Sequence, residues 1–333
     1  MQLEELGEFG FIARVAPACR IRDRGVVKGI GDDCAVVSME GPDHLLVTKD
    51  LLVERVHFRL EWGSAENLGA KALAVNLSDI AACGGVPLDA FVGLAIPPGV
   101  DVEWLDGFYK GMTDLAAEYG VNLLGGDTTR SKTDLMISVT VTGTVPRDQV
   151  LFRHTARAGD LVVLTGPTGE SAAGLEILLR GVPVTTELAQ ELIHTHLRPR
   201  PHVKEGRLLA TSGACRAAID VSDGLLSDLG HICQDSGLGA QLYRERIPVT
   251  RSVSEASGLL GKDALHWAFN GGEDYVLIAA VDPRQWDSLL DASRDAGCEL
   301  TAIGEFVTGS EIVLQTAAGR VTPLTPRGWD HFR

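Results

Sequence analysis

Hydrophobic and polar positions follow strand-like and helix-like patterns in turn along the first half of the chain. Residues 45–53 are rich in Leu and Val and predict a strand. Between residues 65 and 82 the apolar positions recur near helical spacing, and two glycines and Pro87 end the run. The same reasoning predicts a strand at 91–96, a helix capped by Asp101 that ends at Gly120, and an alternating strand at 135–145.

The second half begins after Pro146 and repeats this interleaving. Its predicted elements are strands at 160–166, 217–221 and 273–281, and helices at 171–179, from Leu225 and from Pro283. Strands and helices that alternate throughout indicate an α/β or α+β fold. We therefore expect two domains, residues 1–149 and 150–333.

Length, composition and charge agree with a packed protein and restrict its partners. The chain has 333 residues, 45% of them hydrophobic, and a formal net charge of −15. Disorder is excluded as the main state because this much apolar surface offsets the entropy of ordering. An acidic chain is a poor non-specific ligand for nucleic acid or anionic membranes. A small polyanion requires local cations, and metal ions are the obvious source.

Neither a signal peptide nor a membrane-spanning segment is visible in the sequence. The six cysteines are scattered, without the paired spacing of a zinc site. They are typical of free, buried thiols in a reducing compartment, so we expect a cytoplasmic protein.

Acidic residues stand beside glycines or at the ends of apolar runs in six places. The motifs are Gly29-Ile-Gly-Asp-Asp33, Thr48-Lys-Asp50, Asn76-Leu-Ser-Asp79, Gly125-Gly-Asp127, Asp220-Val-Ser-Asp-Gly224 and Gly271-Gly-Glu-Asp274. A buried carboxylate is costly unless it is paired, protonated or bound to metal. Carboxylates suit Mg²⁺, and glycine lets backbone amides approach a phosphate. Asp220 would close a strand, and Ser222 or Asp223 would cap the following helix.

Each motif taken singly also fits an ordinary turn or helix cap. His57 is equally compatible with a structural histidine, and Trp329 with simple packing. The sequence contains no P-loop, G-x-G-x-x-G, H-E-x-x-H, G-x-S-x-G or protein-kinase motif. A nucleotide would therefore be held chiefly through metals and glycine backbones.

These motifs, in this order, resemble the thiamine-monophosphate kinase family. That family belongs to the ATP-binding superfamily of aminoimidazole ribonucleotide synthetase and selenophosphate synthetase. The resemblance runs from Glu8-Phe-Gly-Phe-Ile-Ala-Arg14 to Gly328-Trp-Asp-His-Phe332. It implies a two-domain fold, a homodimer formed by the N-terminal mixed-sheet domain, and transfer of the γ-phosphoryl group of ATP to thiamine monophosphate.

The resemblance also implies residue roles. Several Mg²⁺ ions would be held by Asp33, Thr48, Asp50, Asp79, Asp127, Asp220 and Asp223. ATP would contact Gly126, Asp127, Arg153 and Ser222, and thiamine monophosphate would contact His57, Glu273 and Trp329. No residue would act as a nucleophile, because the acceptor phosphate is already an oxyanion at neutral pH.

One departure concerns Lys49, which stands where relatives often have a hydroxyl residue. A protonated Lys side chain cannot ligate Mg²⁺, so only its backbone carbonyl could do so. Two alternatives remain at this stage: another ATP-dependent member of the superfamily, and a non-catalytic nucleotide-binding relative. Cys19 lacks the glycine-rich setting that a selenophosphate synthetase would need, and the retained metal acids argue against loss of catalysis.

Overall fold

The computed structural model describes residues 5, 7–19, 22, 24–182 and 186–326. Its first half contains α1 (Glu8–Cys19), β1 (Val26–Lys28), β2 (Ala35–Ser38), β3 (Asp43–Val53), α2 (Ala65–Ala82), β4 (Val86–Ile96), α3 (Val102–Tyr119), β5 (Asn122–Arg130) and β6 (Met136–Pro146). The six strands form one mixed sheet in the order β1-β2-β3-β6-β4-β5. Only the β4–β5 pair is parallel.

The two faces of the first sheet differ in burial. Inward positions of β3 and β6, such as Leu46 and Val139, are buried beneath α2, while α3 packs against α2 and β5. Outward positions include the exposed apolar side chains of Leu51, Phe91 and Met136. Strand alternation explains the difference, because successive side chains point to opposite faces.

The second half contains β7 (Leu161–Leu164), α4 (Glu170–Arg180), α5 (Glu187–Leu197), α6 (Val203–Ser212), β8 (Cys215–Asp220), α7 (Leu225–Ser236), β9 (Gly239–Tyr243), α8 (Arg251–Leu260), α9 (Ala264–Asn270), β10 (Leu277–Val281), α10 (Trp286–Asp295), β11 (Thr301–Val307), β12 (Ile312–Gln315) and β13 (Val321–Leu324). Its seven strands are ordered β13-β12-β9-β11-β7-β10-β8. Short 3₁₀ turns cover Arg153–Thr155, Arg244–Arg246 and Pro283–Gln285. The expected α/β class is confirmed.

Helix α2 packs between the two halves. Its residues are almost all buried, and one continuous core joins its side chains to Leu209 of α6 and Leu277 of β10. The approach of α6 is close: a Cβ built at Gly206 would lie 2.2 Å from the carbonyl oxygen of Ala81. A side chain at residue 206 would therefore push the second domain away from α2.

Several predicted elements are confirmed in detail. The helix at 65–82 has its predicted bounds, and the side chain of Asp101 accepts a hydrogen bond from the backbone N–H of Trp104 at 2.8 Å. The strand predicted from residue 273 begins only at Leu277, because Glu273 and Tyr275 adopt positive φ angles of 64° and 53°. Strand β5 was not predicted.

All six cysteines are free thiols, as predicted, but Cys19 is exposed instead of buried. Within the described ranges, no helix is long and apolar enough to cross a bilayer.

Candidate active site

Three carboxylates from different elements meet at the junction of the two domains. Asp33 lies between β1 and β2, Asp79 lies in α2, and Asp220 ends β8. Each offers an oxygen within 4.8 Å of the others, close enough to hold one metal ion together. The Ser78 hydroxyl donates to Asp220 at 2.6 Å, so α2 bonds directly to the second domain here.

Strand β3 supplies two further predicted ligands. Its pleat turns Thr48 and Asp50 toward α2, where the Thr48 hydroxyl donates to the carboxylate of Asp79. The backbone N–H of Asp50 donates to Asn76 at 3.1 Å, while the buried Asp50 Oδ2 has no hydrogen-bond partner. Lys49 points to the other face, where its ammonium donates to Ser138 at 2.5 Å.

Burial raises the pKa values of Asp50, Asp79 and Asp220, and neighbouring carboxylates add to the increase for Asp79 and Asp220. Burial and then repulsion from Asp33 raise the pKa of Asp220 to about 8, against the stabilising Ser78 hydrogen bond. Burial raises the pKa of Asp50 to about 6. Burial, then the charges of Asp50 and Asp220, hold the pKa of Asp79 well above its usual range. A cation would relieve this repulsion, so the donor set suits a hard metal ion.

Arg153 faces this cluster from the 3₁₀ turn that precedes the second sheet. Its Nη2 lies 2.6 Å from Asp33 Oδ1, and its Nε lies 3.3 Å from Asp33 Oδ2. Burial disfavours the guanidinium charge, but the charge and hydrogen bonds of Asp33 outweigh burial and raise the pKa of Arg153. Ser236 of α7 donates to the Arg153 carbonyl at 3.1 Å and fixes the turn.

The loop that carries Ser222 and Asp223 is organised by a buried acid. The backbone N–H groups of Asp223 and Gly224 both donate to Asp228 Oδ2 at 3.1 Å. Gly224 is the N-cap of α7 and makes no side-chain cap, so the predicted capping by Ser222 or Asp223 is wrong. Asp228 satisfies these amides from inside the helix instead.

Glu273 contacts the loop that carries Ser222 and Asp223. Its backbone N–H donates to the Ser222 carbonyl at 2.8 Å. Burial raises the pKa of Glu273, but the charge of Lys71 and smaller contributions that include the charge of His57 lower it overall. His57 and Glu273, the two predicted substrate contacts, therefore lie in one region. The His57 ring is oriented by the backbone N–H of Val53, which donates to Nδ1 at 2.9 Å. Trp329 lies outside the described residues.

Gly126 and Asp127 lie apart from this cluster, on the exposed edge strand β5. Gly126 is paired with Val92, Val92 with Val139, and Val139 with Asp50. Gly126 and Asp50 therefore lie on one line across the sheet. Three strand spacings separate the ends of that line, about 14 Å. Asp127 follows Gly126 and takes the opposite face. Neither Asp127 nor Asp223 joins a metal-binding group of three side chains among the described residues.

Sequence reasoning assigned no role to four buried polar residues of the site: Lys71, Asn76, Asp228 and His196. Lys71 was detectable in principle, because a lysine inside the apolar α2 run must find a charged partner. Asp228 had a weaker signal, since it follows Gly224 by one helical turn.

Two family models match the chain. AIR synthase related protein, N-terminal domain, matches residues 31–145, and AIR synthase related protein, C-terminal domain, matches residues 157–316. Thiamine-monophosphate kinase of Escherichia coli O157:H7 is 39% identical over 328 residues, covering 98% of this chain and 98% of that protein. Thiamine-monophosphate kinase of Bacillus subtilis (strain 168) is 36% identical over 333 residues, covering 98% and 100%.

The fold agrees with these sequence relationships. A solved structure described as AaThiL complexed with AMPPCP and TMP superimposes with a TM-score of 0.87 at 33% identity, covering 99% of each chain. The resemblance found in the sequence is therefore confirmed, and the chain belongs to the thiamine-monophosphate kinase family of AIR synthase related proteins.

Proposed function

We propose that this protein transfers the γ-phosphoryl group of ATP to the phosphate of thiamine monophosphate, giving thiamine diphosphate and ADP. The family supports the reaction, as does a structural neighbour in complex with AMPPCP and TMP. The observation that carries the proposal is the convergence of Asp33, Asp79 and Asp220 beside Arg153. Donor and acceptor are both phosphates, so their repulsion must be suppressed by concentrated positive charge.

The acid cluster fits Mg²⁺. The unpartnered Oδ2 of Asp50 and the mutually repelling carboxylates are the chemistry expected of a divalent-cation site. We propose as metal ligands Asp33, Thr48, Asp50, Asp79, Asp127, Asp220 and Asp223. Bound Mg²⁺ would supply charge neutralisation for the transferring phosphoryl group.

The chain's own groups account for the remaining requirements. Arg153 and Ser222 would contact ATP, and Gly126 with Asp127 would complete the nucleotide side. His57, Glu273 and Trp329 would orient the acceptor. No general base is needed, because the second pKa of a phosphate monoester is about 6. We propose direct in-line transfer without a covalent enzyme intermediate.

The decisive experiment follows thiamine diphosphate formation from ATP, Mg²⁺ and thiamine monophosphate. We expect product from the native chain and none after chelation or in Asp79→Asn. Removal of the Asp79 charge relieves repulsion, so this variant should fold at least as well as the native chain. Asp287→Asn, on the exposed surface of α10, is the matched control. A folded native protein without turnover would refute the substrate assignment.

We also propose a homodimer formed through the outer face of the first sheet. One face is covered by α2 and α3, whereas Leu51, Phe91 and Met136 on the other face remain exposed. An apolar sheet face without a covering layer is typical of an association surface. Phe91→Asp should yield monomers in sedimentation analysis, whereas a native monomer would refute the proposal.

Such a dimer would explain the position of Asp127. Because Asp127 lies on the outer face of an edge strand, we propose that it acts in the acid cluster of a second copy. Mixed dimers of Asp127→Asn and Asp79→Asn test this arrangement. If Asp127 acts in the partner's site, each mixed dimer regains one intact site, whereas action within one chain restores none.

Two further inferences concern organisation and location. We propose a domain division at residues 149/150, which falls between β6 and β7. The six free thiols support a reducing, cytoplasmic location.

A further inference from the structure

Lys71 is buried inside α2, where an uncompensated ammonium would be costly. Its side chain is 2% exposed. The Nζ atom lies 2.9 Å from Glu273 Oε1 and 3.1 Å from the His196 carbonyl oxygen. Lys71 belongs to the first domain, while both partners belong to the second. The contact therefore crosses the junction of the two domains.

The second oxygen of Glu273 faces His196. His196 Nδ1 lies 3.3 Å from Glu273 Oε2 and 3.0 Å from the Ser171 hydroxyl. Burial, and then the charge of Lys71, lower the pKa of His196 to about 3, so the ring is neutral at neutral pH. Lys71 is therefore the cation that compensates the Glu273 carboxylate.

The backbone of Glu273 is constrained as well. Its φ angle of 64° is unusual for a residue with a side chain, and its N–H is held by the Ser222 carbonyl at 2.8 Å. A Cβ built on the preceding Gly272 would lie 2.5 Å from the Ser222 carbonyl oxygen, so the two loops touch. The contacts with Ser222 fix the position of the Glu273 backbone, and Lys71 fixes the position of its carboxylate.

We propose that Lys71 is a positioning residue for the acceptor side of the active site, acting from α2 by holding the carboxylate of Glu273 beside His57. This inference rests on the proposed function, which assigns Glu273 and His57 to thiamine monophosphate. The Glu273 side chain keeps 23% of its surface exposed, so the carboxylate remains reachable while Lys71 orients it.

The test compares Lys71→Met and Lys71→Arg by steady-state kinetics and by direct binding of thiamine monophosphate. Lys71→Met should raise the KM for thiamine monophosphate at least tenfold, about 1.4 kcal/mol of binding. The KM for ATP should change by no more than about threefold, because the Lys71 side chain bonds to Glu273 and His196, which are not among the proposed ATP contacts. Lys71→Arg keeps the charge and should recover part of the acceptor affinity.

Lys262→Met is the matched control, because Lys262 also pairs with a glutamate, Glu176, at 3.1 Å but on the second domain's surface. Its KM values should match those of the native chain. Lys71→Met leaves the partly buried carboxylate of Glu273 without its cation and should also lower the melting temperature. The double variant Lys71→Met/Glu273→Gln removes both charges and provides a folded form if the single variant fails.

If Lys71 acts through Glu273, the double variant should have the acceptor KM of Glu273→Gln alone. Equal increases in both KM values, or independent effects of the two substitutions, would show that Lys71 is only structural and overturn the inference. A native protein that does not turn over thiamine monophosphate would instead refute the proposed function, and this assignment with it.

Discussion

The guanidinium of Arg153 contacts both carboxylate oxygens of Asp33, at 2.6 Å and 3.3 Å. Arg153, a predicted ATP contact, thus bonds to the same carboxylate oxygens of Asp33 that are predicted to ligate a metal ion. Both roles can be filled only if Arg153 shares or releases Asp33 when a cation and ATP arrive. We therefore expect this pair to link nucleotide binding to metal binding.

Replacement of Arg153 should separate these two functions. In Arg153→Met we expect about tenfold tighter Mg²⁺ binding to the ATP-free protein, because one competing positive charge has left the cluster. The same Arg153→Met substitution should lower the affinity for ATP. Calorimetric titration of each ligand measures both effects, with Arg147→Met as a control whose guanidinium bonds to Ser38 and Met39. Unchanged or weaker Mg²⁺ binding would contradict the competition.

The acid cluster should make the metal-free protein less stable as the pH rises. Folding raises the pKa of Asp220 from 3.8 to about 8, so below that value the folded state binds more protons than the unfolded state. Above about pH 7.5, one unit over the usual histidine value, buried His196 and His202, whose pKa values are lowered, are neutral in both states. Between about pH 7.5 and 8.5, stability should therefore fall.

Thermal unfolding in the presence of chelator measures this slope. Asp220→Asn should flatten it, whereas Asp287→Asn should not. Added Mg²⁺ should raise the melting temperature more at about pH 8.5 than at about pH 7.5, because the cation replaces the bound proton. A metal-free stability that rises across this interval would contradict the assignment.

Adjacent glycines in β5 offer a matched comparison. Gly126 has a φ angle of 153°, and a Cβ on it would lie 1.8 Å from the Val92 carbonyl oxygen. Gly126→Ala should therefore cost about 1–3 kcal/mol of unfolding free energy and weaken ATP binding. A Cβ on Gly125 would meet only Phe91, at 3.9 Å, so Gly125→Ala should change little. Chemical denaturation tests both variants, and equal losses would contradict the close contact.

Asp228 should matter without touching a substrate. Asp228→Ala leaves one buried and one partly buried N–H group without an acceptor, which should cost about 2 kcal/mol or more of stability and lower kcat by disordering Ser222 and Asp223. Asp228→Asn retains an oxygen acceptor and should restore most of both losses. Denaturation and kinetics of the two variants decide the point, and an Asn variant as impaired as the Ala variant would show that the negative charge is essential.

Sequence patterns correctly predicted those helices and strands that are determined by a short stretch of neighbouring residues. The helix at 65–82 and the Asp101 cap follow from periodicity, glycine stops and capping chemistry. Strand β5 was missed because Gly125 and Gly126 disfavour strands, and pairing with β4 supplies the order. The segments Ala74-Val-Asn-Leu-Ser-Asp79 and Ala218-Ile-Asp-Val-Ser-Asp223 are similar in sequence, but the first lies in a helix and the second in a strand and its following loop, so they are not a structural repeat.

Site chemistry was more predictable than site geometry. Asp33, Asp79 and Asp220 were predicted as metal ligands because they are carboxylates beside glycines or at the ends of apolar runs. Only the fold brings them within reach of one ion. The separation of Asp127 from Asp50 depends on strand order, which no local pattern encodes. The partner of Lys71 lies far away in sequence and becomes visible only when α2 is placed against the second domain.

The polar contacts of α2 restrict how the active site can open. A rigid rotation of the second domain would break the Lys71–Glu273 and Ser78–Asp220 contacts together and expose the apolar core that continues from α2 into that domain. Such hinge opening would be costly. We therefore expect ATP and the acceptor to enter through local movement of the short loops around Asp33 and Ser222, on the nanosecond-to-microsecond timescale of loops, with the domain orientation preserved throughout turnover.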